Sequence, residues 1–156
     1  MKTSASSPAR PARAVDLYDT DFFEWTQRTA QRLRARRLAE VDIEHVAEEI
    51  EDIGKRDLRQ LNTRMEVLLA HLLTWRFQPR KRSRSWRATI VAQRHEIDAI
   101  LEDSPGLRRR LASGRRRNYD RAVARAAAET GLRAVAFPPD CPFSSDEILD
   151  AGFLPE

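Results

Sequence analysis

At 156 residues, with 41% hydrophobic and 33% charged side chains, the chain has the size of one domain with a single core. No apolar run approaches the ~20 residues that span a bilayer, the one cysteine (Cys141) excludes an internal disulfide, and the N-terminus lacks the apolar stretch of a secretory signal. The formal charge of +4 raises nucleic acid as a partner, although arginine replacing lysine nearly everywhere, beside plentiful alanine, also fits a GC-rich coding sequence.

Residues 1–15, MKTSASSPARPARAV, read as a disordered tail rich in Ser, Ala, Pro and Arg, leaving 16–156 as a single helical domain. Scarce glycine with abundant Ala, Leu, Arg and Glu predicts an all-α protein. The first helix opens within Tyr18–Phe23, with Asp19 or Thr20 as its cap and Phe22, Thr26, Ala30 and Leu33 on the inward face. Phe23 and Trp25 widen that apolar side.

Asp42 starts the longest helix. Ile43, Val46, Ala47, Ile50, Gly54, Leu58, Leu61, Met65, Leu68 and Leu72 recur at three- and four-residue steps, and no proline intervenes before Pro79. Continuous to Phe77, this helix is about 50 Å long. Gly54 on its apolar stripe suits a close helix approach or a bend. A short basic link leads to Ser83 or Ser85, which caps a third helix carrying Trp86, Ile90, Ile97 and Leu101, with Gln93 beside them, and ending at Glu102–Asp103. Ser104–Pro105 restarts the chain as a cap followed by a first-turn proline. The fourth helix turns Leu107, Leu111, Tyr119, Ala122 and Ala126 inward and stops at Gly131. From Phe137 the prolines predict an extended segment and one short helix capped by Ser144 or Ser145, pinned to the rest by Phe143, Ile148, Phe153 and Leu154. The expected architecture is a helical bundle built on one long central helix with antiparallel neighbours.

The ordered segments YDTDFFEW, AEEIEDIG, LLAHLLTWRFQPRKRSRSWRATIVAQRHEI, LEDSPGLR, AAAETGL, FPPDCPFSSDEILD and FLP make the chain resemble the bacterial family catalogued as domain of unknown function 29, from Tyr18 to Pro155. The resemblance implies an α-helical fold, occurrence in cyanobacteria and proteobacteria, and no established activity. It assigns no catalytic residue.

The residues themselves must therefore carry the functional reading. A di-iron bundle needs two Glu-x-x-His pairs, and none occurs; one cysteine and three dispersed histidines do not make a structural zinc site. No Gly-x-Ser-x-Gly and no glycine-rich phosphate loop is present. No catalytic residue, metal or cofactor is assigned.

Three constellations remain. Between Thr74 and His95 no acidic residue appears, and Arg76, Arg80, Lys81, Arg82, Arg84 and Arg87 gather at a helix–helix corner as a candidate anion or nucleic-acid patch. His71, Trp75 and Gln78 share one side of the long helix and, with Trp86, Gln93 and Arg94, form a candidate polar pocket; the simpler alternative makes both tryptophans core anchors and His71 a satisfied buried histidine. Glu48, Glu49, Glu51 and Asp52 form an acidic cluster that also reads as a solvated helix flank.

The leading expectation is a cytoplasmic, non-catalytic binding or assembly module whose partner is itself, as a homodimer, or another protein, with no membrane. The wide apolar arc at Val67, Leu68, Leu69, Leu72 and Leu73 needs cover on two sides, and exposed apolar area favours self-association. The alternatives are a nucleic-acid-binding regulator using the arginine corner, RNA-associated or antitoxin-like, and a small-molecule pocket near His71.

Overall fold

The computed structural model describes residues 17–156, so the reading of residues 1–15 as a tail lies outside the described residues. Among those described there are helices and no strand: α1 (Leu17–Thr20), α2 (Phe22–Arg34), α3 (Ile43–Phe77), α4 (Arg84–Asp103), α5 (Leu107–Thr130) and α6 (Ser145–Leu149), with single 3-10 turns in three of the connections. They gather into two compact units, one up to Glu48 and one from Glu49 onward.

In the first unit the expected opening helix is broken in two. The Asp21 backbone leaves the helical region (φ −150°), and its side chain caps α2 by accepting from the Glu24 N–H at 3.0 Å. The cap is therefore Asp21, not Asp19 or Thr20. The inward face differs too. Trp25 and Thr29 are buried, whereas Phe22 and Leu33 are exposed. Aromatic packing explains this: the Tyr18 ring meets Trp25 edge-on at 5.0 Å and stacks on His45 at 4.0 Å, which turns α2 by about one residue about its axis. After α2 the chain reverses through Arg36, a non-glycine residue in the left-handed region (φ 57°), closed by a bond from the Arg37 N–H to the Arg32 carbonyl at 2.9 Å.

The second unit is organised by α3, one unbroken helix of 35 residues that begins in the first unit, where the Asp42 side chain accepts from the His45 N–H. Within the second unit its apolar stripe becomes buried from Leu61 onward. Leu68, Leu69, Leu72 and Leu73 are all completely enclosed, because α4 and α5 cover the helix from two directions. Cross-helix pairs give the directions. Arg64–Glu96 at 3.1 Å and the short 78–83 connection make α4 antiparallel to α3. Asn62–Asn118 and Glu66–Arg121 advance together along both helices, so α5 runs parallel to α3.

Ser83 caps α4 by accepting from the Trp86 N–H. Ser104 does not cap α5. It closes the end of α4, and α5 starts at Leu107 after Gly106, with the Ser104 carbonyl accepting the Leu107 N–H at 3.0 Å. Gly131 (φ 74°) ends α5 as the sequence predicts. The expected close approach at Gly54 is absent from this chain: a Cβ placed there would meet nothing within 4 Å among the described residues. The helix also runs through Gly54 without a break.

Candidate functional site

Residues 137–155 are held to the bundle by side chains of all three long helices. Ser144 caps α6 in a reciprocal capping box with Glu147, and Phe143, Ile148 and Pro155 are buried. Arg94 lies in the buried stripe of α4, four residues after Ile90 and three before Ile97. Its Nε donates to the Ile148 carbonyl at 2.8 Å, Nη1 to the Phe153 carbonyl at 2.8 Å and Nη2 to the Glu147 carbonyl at 3.2 Å. These are carbonyls at the end of α6 and just beyond it, where a helix leaves acceptors unsatisfied. Burial lowers the Arg94 pKa from its ordinary value, and nearby Asp150 partly restores it.

From α5, Arg115 donates to the Phe143 carbonyl and to Ser145 Oγ. The Tyr119 hydroxyl donates to the Pro138 carbonyl at 2.7 Å, and burial pushes its pKa up to about 12. Arg116 pairs with Asp120 on its own helix and with Asp140 on the segment at 2.8 Å.

The arginine corner separates into two kinds of residue. Arg82 donates from Nε to the Trp75 carbonyl in the last turn of α3 and from Nη2 to the Pro155 carbonyl, with its guanidinium 5.2 Å from the Trp75 ring centre. Arg76 lies near the Phe77 and Phe143 rings. Arg80, Lys81, Arg84 and Arg87 are exposed, and no carboxylate among the described residues forms an ion pair with them.

The candidate pocket residues differ in their surroundings. His71 is half-buried with Nδ1 2.9 Å from the Val67 carbonyl, which places a proton on Nδ1 when the ring is neutral. Trp75, Gln78, Trp86 and Gln93 are also half-buried, while Arg94 is committed to the carbonyls described above. Of the acidic residues, Glu51 and Asp52 both reach Lys55, at 3.5 and 3.0 Å; that pairing, the Asp52 bond above all, raises the Lys55 pKa.

Sequence reasoning assigned Arg94 to the candidate polar pocket and missed its tethering role. It passed over Arg115 altogether, although both are cations set into apolar stripes at three- and four-residue steps, a pattern that could have found them. Asn62 and Asn118 had no such signal: their bond across α3 and α5, 2.9 Å from Asn118 Nδ2 to Asn62 Oδ1, depends on the helix register. Gly114 lies alongside, and a Cβ there would sit in ordinary contact with both amides.

No helix among the described residues is long and apolar enough to cross a membrane. Nor do they contain a group of three or more His, Cys, Asp or Glu placed to hold a metal ion. Comparison with protein families matches residues 17–154 to the family described as domain of unknown function DUF29. No curated protein and no solved structure matches the chain.

Proposed function

The chain belongs to the DUF29 family, and from that premise we propose that it is a non-catalytic assembly module that pairs with a second copy of itself through α3. The observation that carries this reading is the stretch of α3 before its buried half. Ile50 and Ile53 are 64% and 51% exposed, three residues apart, beside the open backbone of Gly54. They continue the stripe that is buried from Leu61 onward. Charge supplies the choice of partner. Glu49, Glu51 and Asp52 precede this point, whereas Lys55, Arg56 and Arg59 follow it, with Asp57 the one acidic interruption.

An antiparallel pair of such stretches crossing at Ile53 encloses Ile50 and Ile53 of both copies at the contact. On one flank it sets Glu49 of one copy toward Arg56 of the other, and each Ile53 meets the gap above the opposite Gly54. The lone cysteine suits a reducing compartment such as the cytoplasm. Light scattering of the full chain at micromolar concentration is expected to give twice the chain mass, and Ile53→Glu to give one chain mass with unchanged helicity. A mass of one chain for the unaltered protein, constant on dilution, overturns the reading.

A second reading, nucleic-acid binding, rests on the exposed and unpaired Arg80, Lys81, Arg84 and Arg87. It requires affinity that falls steeply with salt. Changing Arg80, Arg84 and Arg87 together to Ala then lowers the slope of log affinity against log salt by about 3 for duplex DNA. Arg82 is left intact because it holds Pro155. Failure to retain DNA or RNA at about 50 mM salt, below physiological ionic strength, removes this reading.

A further inference from the structure

The second unit contains a cavity of about 210 Å³ between α3, α4, α5 and α6. Its interior is aliphatic: Met65 and Leu69 from α3, Leu101 from α4, Leu111 from α5, and Ile148 and Leu149 from α6. No aromatic side chain lines it, so it offers no flat face on which a ring would stack. At ~30 Å³ per water-sized group, its volume corresponds to about seven such groups, the bulk of a short alkyl chain.

The mouth has a different chemistry. Arg108 and Arg115 lie there with one acidic residue, Asp146. Arg115 already donates to Phe143 and Ser145, which fixes its guanidinium at the rim. Arg108 is exposed and pairs with no carboxylate among the described residues. An aliphatic interior closed by two arginines and one carboxylate favours a ligand with an apolar tail and an anionic head. We infer that this cavity binds a medium-chain aliphatic carboxylate, its alkyl chain among Met65, Leu69, Leu101 and Ile148 and its carboxylate on Arg108.

The site stands apart from the exposed stretch of α3, and its occupancy does not depend on self-association. Calorimetric titration of the full chain with octanoate, octylamine and 1-octanol separates head from tail. Octanoate is expected to bind saturably at one site per chain, with octanol at least tenfold weaker and octylamine showing no saturable binding. Arg108→Gln, a change at an exposed residue, is expected to weaken octanoate about tenfold. Ala112→Trp, also exposed but lining the cavity, is expected to abolish binding while leaving the circular dichroism spectrum unchanged. Equal binding of octanoate and octylamine, an unaltered affinity in Arg108→Gln, or no saturable octanoate binding below about 1 mM overturns the inference.

Discussion

Tyr119 shows how a single side chain ties function-neutral chemistry to stability. Its ring is almost fully enclosed and its hydroxyl donates to the Pro138 carbonyl, an arrangement that only the protonated phenol satisfies. Burial, followed by the charges of Cys141 and Asp140, pushes its pKa from the ordinary 10 up to about 12. Because the folded-state value is raised, its contribution is fully present below pH 10 and is lost as pH rises toward about 12, where the unfolded chain gives up its proton first. The loss is on the order of 2–3 kcal/mol across that window. Denaturant titrations at several alkaline pH values are expected to show the decline in the unaltered chain and a shallower one in Tyr119→Phe. Equal slopes for the two would mean that the hydroxyl titrates as if in water. Asn62 and Asn118 present another lesson at this scale. A buried amide pair is favourable only when the helices meet in one register, because a one-residue slip leaves both amides without a partner.

Among the elements, α6 has the least support of its own. Five residues form too short a helix to persist in water, even with a complete capping box. Its position is set from outside, by Arg94 and Arg115 and by the burial of Phe143 and Ile148. Arg94→Met preserves much of the side-chain volume but removes three hydrogen bonds to carbonyls, a destabilisation of at least ~3 kcal/mol. Hydrogen exchange is expected to quicken through residues 145–155 while Leu61–Leu73 stay protected; uniform exchange, or none altered, would show that Arg94 does not hold the segment. Arg94→Lys is expected to behave much like Arg94→Met, since an ammonium cannot reproduce the planar fork that reaches three carbonyls. The helix spans of α3, α4 and α5 followed from periodicity and punctuation, because a 3.6-residue repeat is a local property of the sequence. The first helix defeated that reading. Its apolar residues, Phe22, Phe23, Trp25 and Leu33, occupy more of the helix surface than one packing face needs, and the choice among them was made by Tyr18 and His45. Arg94 was misjudged for a related reason. Spacing placed it on the right helix, but its partners lie 53 to 59 residues away in a stretch of chain without periodicity.

For the whole molecule, charge and apolar surface are distributed unevenly although the net charge is only +4. Within the second unit, exposed cations without partners collect at the turn between α3 and α4, while Ile50 and Ile53 stand open on α3. Composition is legible in the sequence but the partners are not: Arg82 and Arg84, two residues apart, are both exposed, yet Arg82 donates to the Pro155 carbonyl and Arg84 pairs with no carboxylate among the described residues. The reliance of the core on residues 143–155 also bears on how the protein is made. A ribosome delivers α3, α4 and α5 first. At ~5–20 residues per second, the stretch that covers Leu69, Leu101 and Tyr119 follows after a delay of a few seconds. Until residues 143–155 arrive, the aliphatic side chains that they cover stay unsealed. Until Arg94 finds the Ile148 carbonyl, nothing fixes that cover in place.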